Sequence, residues 1–373
     1  MGDATLYAVL PLNYADAGIA LASVGLILSV NRFIRLATNG ALGWLYDRLP
    51  DQRKIFLGSL WIGVASTALY ASSSGLLPLV IARLLWGLAW SGIWVGGNAI
   101  VLELAPEAQR GRWVGVYQVW FFLGSAIGSF TGGMLTDAVG YRQALWIGAG
   151  ISALGAIAAA FGMPAHTRAA KHIAHAHGTW RGILTIPPAM WAAISAHAIN
   201  RLVAAGIVSA TMGLVVQENL RDAPLGIASM TGGLLASRTL ISLLGAPIAG
   251  TGSDFIGSRW GLLAISLLLG AIGIGAFGVP GIAALIIGII AGAAASGGIQ
   301  SLATTLVGDL SERAKYGTNM GVLHSAGDLA SAIGPLAAYA LLPITGLPVI
   351  FFACAILMLI VAGWATLVGR KRT

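Results

Sequence analysis

Apolar runs of about 20 residues recur along the whole chain, and this pattern most narrows the folds open to it. A run of that length crosses a bilayer core of about 30 Å as a helix. Only 9% of the 373 residues are charged, against roughly a quarter in a soluble domain. Because backbone polar groups inside lipid must bond to one another, each run is predicted to be helical. The sequence therefore predicts an all-α, multi-pass membrane protein.

The runs predict twelve transmembrane helices in two groups of six. The first, Met1 to Leu12, spans only about 18 Å at about 1.5 Å per residue, and we interpret it as a truncated helix. A polar stretch at 164–186 is interpreted as a linker between an N-terminal six-helix bundle, 1–163, and a C-terminal one, 187–373. The other predicted helices cover about 19–45, 55–73, 77–102, 113–135, a segment ending near 164, 187–216, 225–249, 259–278, 281–307, 318–341 and 345–368.

Lysine and arginine are concentrated in alternate loops. One set of loops holds nearly all of them, whereas the other set holds only Arg142 and Arg221. The positive-inside rule places the first set in the cytoplasm, together with the linker and both termini, and predicts an inner (plasma) membrane protein. The formal charge of +8 follows from this rule, so we predict no nucleic-acid partner.

The two halves of the chain repeat one another. Residues 103–128 align without a gap with 309–334, and Arg32 falls on Arg238 at the same offset. A short polar loop after residue 39 recurs 207 residues later. Two parallel six-helix repeats predict a pseudo-twofold axis along the membrane normal and a binding site near the midplane.

The repeated loops resemble the motif G-x-x-x-D-[RK]-x-G-[RK]-[RK] of the major facilitator superfamily of secondary transporters. This resemblance covers essentially the whole chain and implies the family fold with two pseudo-symmetric bundles. Pro50 replaces the second glycine of the first copy, and Phe255 replaces the first arginine of the second. The matching residues are Gly43, Asp47 and Arg48 in the first copy and Gly250, Asp254, Gly257 and Arg259 in the second.

The resemblance further implies that these loops form an inner gate. Asp47 is expected against the start of the eleventh helix and Asp254 against that of the fifth, where a helix dipole stabilises a carboxylate by about 0.3–1 kcal/mol. The alternative is that they are ordinary charges at the membrane boundary. The implied ion pairs are Glu103 with Arg53 and Asp309 with Arg259.

Two other stretches resemble motifs of this family. Arg83 to Gly87 is similar to the R-x-x-x-G signature, whose arginine the family ties to proton coupling. The fifth predicted helix is similar to the antiporter motif G-x-x-x-G-P-x-x-G-G, although Ser129 stands where the motif has proline. Its glycines are Gly124, Gly128, Gly132 and Gly133.

Charged side chains at bilayer depth are costly and are therefore candidate functional residues. Arg32 and Asp328 both fall near the midplane, and we predict an ion pair between them that joins the two halves. Asp3 is predicted to pair with Arg83 within the first half. Asp328 lies four residues after His324, on the same helix face, and is our candidate proton carrier. The alternative is a static salt bridge.

The candidate substrate cavity combines aromatic and cationic side chains. Trp86, Trp90 and Trp94 recur at a spacing of four, which predicts an aromatic wall for a lipophilic or cationic ligand. A similar stripe follows at 113, 117 and 120. The alternative is packing against lipid or another helix. The other cavity candidates are Arg35, His197, Arg201, Arg238 and Gln118.

These features favour a secondary active transporter that works by alternating access and exports small amphipathic organic compounds by proton-coupled antiport. The alternative is a transporter of an organic or inorganic anion, because the arginines at bilayer depth outnumber the carboxylates and suit a carboxylate or phosphate. A transporter-like sensor without flux is a further alternative. No enzyme activity is expected, because the spans contain no nucleophile–base or metal-ligand spacing.

The expected partners are a small-molecule substrate and the lipid bilayer, and we expect a monomer. No cofactor or metal is predicted, and a proton gradient is the expected energy source. Cys354 is interpreted as a small buried apolar residue. The linker histidines offer potential metal ligands but are interpreted as solvated, and they are His166, His172, His175 and His177.

Overall fold

The computed structural model describes residues 2–49, 51–106, 109–163, 186–221, 223–312 and 315–370, and within these ranges the side chains at 47, 102, 110, 111, 114, 316 and 317 are excluded from the description. The predicted linker, with its four histidines, therefore lies almost wholly outside the described residues. The side chain of Asp47 is also outside the description, so its predicted contact with the start of the eleventh helix stays a prediction.

The described residues form a series of long apolar helices joined by short loops. Ten of the helices within these ranges are long and apolar enough to cross a membrane. The first half contains α1 (Gly2–Val9), α2 (Leu21–Arg48), α3 (Gln52–Ser72), α4 (Leu76–Leu104), α5 (Arg110–Val139) and α6 (Tyr141–Gly162). The second half contains α7 (Pro188–Asn219), α8 (Ile227–Ile256), α9 (Arg259–Ala276), α10 (Ile282–Leu310) and α11 (Tyr316–Arg370).

The helices at the two ends of the chain differ from the prediction. α1 ends at Val9 and not at Leu12, because the chain turns there and the Asn13 side chain donates to the Val9 carbonyl at 2.8 Å. The last two predicted helices are both present in the range given as α11, and they meet at a break at Gly346, whose φ of 73° is a conformation that glycine adopts at low cost. With α11 counted as two spans on either side of Gly346, eleven spans lie within the described residues, and α1 is too short, so the count of twelve spans is not confirmed.

Contacts divide the chain into two compact units. The first unit consists of Met1–His175 and Ala223–Ala236, and the second of Ala176–Asp222 and Ser237–Thr373. α8 therefore contributes its first turns to the first unit. In that unit α3 packs against α4 and α6, and α1 packs against α5. In the second, α9 packs against α10 and α11, and α7 packs against α11.

Both motif loops are shorter than predicted because the flanking helices extend into them. Asp51 caps α3 by accepting the backbone N–H of Lys54, and the hydrogen bond from the Lys54 side chain holds the pKa of this exposed carboxyl below its usual value. In the second copy, Gly257 adopts a φ of 72° and Ser258 caps α9 through the N–H of Gly261. Ser258 therefore allows Arg259 to begin α9.

Candidate functional site

Arg83 of α4 is completely buried in the first unit, and residues of two other helices, α1 and α2, contact it. Arg83 of α4 forms an ion pair with Asp3 of α1, and its Nε donates to the carbonyl of Ile27 in α2 at 2.9 Å. The hydroxyl of Tyr7 lies 3.4 Å from the same guanidinium, and the Arg32 guanidinium lies 5.1 Å from the centre of the Tyr7 ring. The structure thus brings Asp3 and Arg83 together. Sequence reasoning missed Tyr7, which contacts both arginines.

The tryptophans of α4 form one continuous cluster, which we call the aromatic wall: Trp86, Trp90, Trp94 and Phe121. Trp90 stacks on Trp94 with ring centres 5.8 Å apart and an interplanar angle of 9°. Phe121 of α5 meets Trp90 edge-on at 4.9 Å. The Arg35 guanidinium of α2 lies 4.9 Å from the centre of the Trp90 ring. A cation of the protein itself therefore already occupies the aromatic face that we predicted for a cationic ligand.

The second predicted stripe, on α5, is divided between two environments. Tyr117 packs toward Trp94 at 6.3 Å and donates its hydroxyl to the carbonyl of Ile93 at 2.9 Å. Trp113 and Trp120 are 50% and 67% exposed. Tyr117 therefore contacts the wall, whereas Trp113 and Trp120 on the same face of α5 are mainly exposed. Gln118, a cavity candidate, is half-buried beside Tyr117.

Four candidate residues of the second unit meet where α7 packs on α11. Asp328 Oδ1 lies 3.7 Å from Arg201 Nη2, and the two side chains are 14% and 28% exposed. The rings of His197 and His324 stand edge-to-face with centres 5.9 Å apart. This carboxylate, its arginine and the two imidazoles form what we call the α7–α11 cluster. The predicted pair of Asp328 with Arg32, a residue of the first unit, stays a prediction.

A π-helical segment, Arg201–Val208, interrupts α7 at this cluster, which sequence reasoning missed. Such segments are rare and occur often at functional sites. The segment begins at Arg201, whose backbone N–H still bonds to the carbonyl of His197 as in an α-helix, so the register of α7 shifts only after this residue. Arg238 of α8 is buried, and its Nη2 lies 3.5 Å from the carbonyl oxygen of Ala204 in this segment.

Gly327 allows the close packing of the α7–α11 cluster. A Cβ atom at Gly327 would lie 2.5 Å from the His197 ring and 3.1 Å from the side chain of Arg201. While the ring and the arginine keep their places, only glycine fits at this position. The spacing of charged residues gave no signal for it, because the constraint comes from a helix about 130 residues away in the sequence.

The second copy of the loop motif forms a network of charges. Arg259 forms ion pairs with Asp309 at the end of α10 and with Asp254 of α8, the latter at 3.0 Å. In the first copy, Arg53 donates to the carbonyl of Ala160 in α6. Arg48 lies over the ring of Trp44 at 4.3 Å. The structure thus brings Arg259 and Asp309 together, as the gate hypothesis requires.

Two of the four glycines in the antiporter-like motif lie at close helix contacts. A Cβ atom at Gly133 would lie 2.1 Å from the carbonyl oxygen of Ala228 in α8, and one at Gly132 would lie 2.3 Å from Thr5 in α1. Gly128 accepts a hydrogen bond from the Thr5 hydroxyl at 2.9 Å, whereas Gly124 has no neighbour within 4 Å of its would-be Cβ.

Beyond these contacts, α5 reaches α8 through a carboxylate that sequence reasoning missed. Asp137 Oδ2 accepts both the backbone N–H and the hydroxyl of Ser229, each at 2.6 Å. Ser229 lies in the first turn of α8, where free N–H groups favour a negative charge. The carboxylate therefore caps α8 from a neighbouring helix.

Within the described ranges, no group of three or more His, Cys, Asp or Glu side chains is placed to bind a metal ion.

The remaining gate candidates are two glycines. Gly43 has no close contact at its would-be Cβ, and Gly250 lies near Ser301. Cys354 is buried in α11.

One protein family matches the chain over its entire length. The sequence model of the Major Facilitator Superfamily matches residues 1–236 and 202–373. An uncharacterized MFS-type transporter of Mycobacterium tuberculosis (strain ATCC 25618 / H37Rv) is 33% identical over 157 residues, or 42% of this chain and 22% of that protein. The multi-drug resistance efflux pump PmrA of Streptococcus pneumoniae serotype 4 is 29% identical over 122 residues, or 33% of this chain and 30% of that protein.

These alignments span less than a third of either relative. Among solved structures, a bacterial homolog to the human lysosomal transporter Spinster, in an inward-facing conformation, has a TM-score of 0.78 at 15% identity and covers 99% of this chain and 93% of that one. At this identity the likeness shows the fold. Together with the family match, it shows that this chain belongs to the major facilitator superfamily of secondary transporters.

Proposed function

We propose that this protein exports small amphipathic organic compounds across the plasma membrane by alternating access, in exchange for protons. It acts as a monomer, with both termini in the cytoplasm. The observation that carries the proposal is the α7–α11 cluster, because an ion pair inside a membrane unit contains one group, the carboxylate, that can bind and release a proton. The efflux activity in the name of the pneumococcal relative supports the outward direction.

The proposed coupling acts through the pair of Asp328 and Arg201. Opposite charges about 4 Å apart attract by about 4 kcal/mol at an effective dielectric constant of about 20, before desolvation is subtracted. A proton on Asp328 removes this attraction and frees α11 to move relative to α7. The other titratable groups of the cluster are His324, on the same helix face, and His197, which packs on His324.

Asp328→Asn is expected to reduce transport driven by a pH gradient at least tenfold, because the amide cannot carry the proton. The measurement is efflux of a fluorescent amphipathic dye from proteoliposomes with an imposed pH gradient. Glu312→Gln is the matched control, since Glu312 is exposed and pairs with Lys315 in a loop. A variant at Asp328 that keeps the pH dependence of the wild type rules out this residue as the carrier.

A second candidate function is transport of an organic anion, and the Arg35–Trp90 contact favours it. The guanidinium of Arg35 lies 4.9 Å from the ring centre and is positioned to repel a cationic ligand that approaches the same face. The indole N–H groups of Trp86 and Trp90 are buried and have no acceptor among the described residues. Arginine and two free donors together suit a ligand that carries acceptor oxygens.

Arg35→Gln separates the two candidates. If the substrate is an anion, this change should lower the uptake of a radiolabelled organic anion at least tenfold and leave the efflux of a cationic dye unchanged. If the substrate is a lipophilic cation, the anion is not transported by the wild type, and dye efflux is kept or increased in the variant. Arg221→Gln, on an exposed loop residue, is the control for loss of a positive charge.

A further inference from the structure

The first unit contains a cavity of about 300 Å³ that belongs neither to the aromatic wall nor to the predicted ion pairs within the membrane. We call it the basal cavity. It lies at the end of the unit that carries the basic loops, between the first turns of α3, the last turns of α4 and α6, and α5. Its lining is almost entirely apolar. The principal lining residues are Phe56, Ile100, Val101, Leu104, Ala159 and Met163.

The polar part of the lining is confined to one end. Arg53 lines the cavity there, and its guanidinium donates to the carbonyl of Ala160, while its buried Nε has no acceptor among the described residues. Glu103 lines the same end. A buried N–H that lacks an acceptor costs free energy, so an oxygen atom supplied by a ligand would be stabilising here.

The surroundings of the cavity indicate hydrocarbon and not water. Phe161 at the end of α6 is 89% exposed, and Leu104, which lines the cavity, is 50% exposed. Apolar side chains exposed to this degree next to a cavity are expected to face lipid in a membrane protein. The volume far exceeds the roughly 10–15 Å³ that one water needs, and a cavity lined by apolar atoms does not hold ordered water.

We propose that the basal cavity binds one glycerophospholipid of the cytoplasmic leaflet. Part of an acyl chain of this lipid lies among the apolar side chains, and the lipid phosphate binds the guanidinium of Arg53. The phosphate diester is common to the membrane phospholipids, so Arg53 recognises the class and not one head group. Because Glu103 lies at the same end, the anionic phosphate must sit on the Arg53 side of the opening.

The bound chain would also lie against Tyr117, a residue of the cavity lining that contacts the aromatic wall. Tyr117 lines the basal cavity, and its ring centre lies 6.3 Å from that of Trp94. The ring stands between the two regions, and a Cβ atom at Gly97 would lie 2.0 Å from its hydroxyl oxygen, so it has little room to move. A lipid in the cavity therefore supports one side of the aromatic wall.

The test is native mass spectrometry of the full chain in detergent. Phosphatidylglycerol, a fatty acid and an alkyl detergent of the same chain length are each added in a separate titration over the same concentrations. The wild type is expected to retain one phospholipid. Ala159→Phe, which fills the cavity, should lower the retained fraction at least fivefold. Ala158→Phe is its matched control, because Ala158 is exposed on the neighbouring position of α6. Ile100→Phe fills the cavity from α4 and replaces Ala159→Phe if that variant does not fold.

The head-group part of the proposal is tested separately. Arg53→Gln should reduce phospholipid retention at least fivefold, while Lys54→Gln, at the neighbouring exposed residue, should not change it. Wild-type protein that retains the fatty acid or the detergent as well as it retains phospholipid overturns the proposal. Equal retention by the wild type and both cavity-filling variants overturns it too. These readouts do not depend on whether the chain exports a compound or couples to protons.

Discussion

Arg83→Met is expected to lower the free energy of unfolding by about 3–5 kcal/mol, which is typical when one partner of a buried ion pair is removed. Arg83 is fully buried, and its partner Asp3 is 21% exposed at the side chain. Methionine fills part of the volume but leaves the carboxylate without its counter-charge. It also leaves the carbonyl of Ile27 without the donor that now lies 2.9 Å away.

The loss should extend over three helices, because Arg83 links α4 to α1 and to α2. The measurement is denaturant unfolding in mixed micelles, followed by tryptophan fluorescence. Arg142→Gln is the matched control, since Arg142 also donates to backbone carbonyls, at 3.2 and 3.3 Å, but at the end of its helix. A change below about 1 kcal/mol is expected there. Equal stability of Arg83→Met and the wild type would show that the buried pair does not hold α1 in place.

The double variant Asp3→Leu with Arg83→Met tests the electrostatic reason. Replacing both members of a buried pair by apolar residues is often neutral or stabilising. The double variant should therefore recover much of the stability that Arg83→Met loses. Stability as low as that of the single variant would instead assign the loss to packing and to the unmet carbonyl of Ile27.

Gly133→Ala is expected to reduce transport at least tenfold and to lower the unfolding temperature, while Gly124→Ala leaves both near wild type. The added Cβ at Gly133 would lie 2.1 Å from the carbonyl oxygen of Ala228, a backbone atom that cannot rotate away. α5 and the start of α8 must then separate. Overpacking of this kind costs about 1–3 kcal/mol.

The pair of variants separates helix packing from helix propensity. Gly124 lies on the same helix and in the same motif, but nothing lies within 4 Å of its would-be Cβ. Alanine there is expected to be neutral or slightly stabilising, because glycine costs about 0.5–1 kcal/mol in a helix interior. Gly232→Ala gives a second test from the other helix, as its Cβ would lie 2.2 Å from the carbonyl oxygen of Ser129. Wild-type behaviour of Gly133→Ala would mean that the α5–α8 contact is not needed for transport.

The membrane-spanning segments and the family could be read from the sequence because both are encoded locally. Each apolar run partitions into lipid by its own composition, and ten helices in the described residues follow those runs. The gate pair of Arg259 and Asp309 was also within reach, because the paired loops resemble a family motif at fixed spacing. The pairing of Asp3 with Arg83 was within reach too, because the rise per residue places both at a similar depth below the outer membrane face.

Composition and spacing alone determined that this chain is a helical membrane protein built from two similar halves, because the transfer of a segment into lipid depends on that segment. Only the tertiary structure decided that Asp328 lies beside Arg201, that a π-helical segment starts there, and that Arg35 covers Trp90. These contacts depend on the rotation and register of helices that meet from distant parts of the chain. A change of one residue in register turns a side chain by about 100°, and no local pattern specifies it.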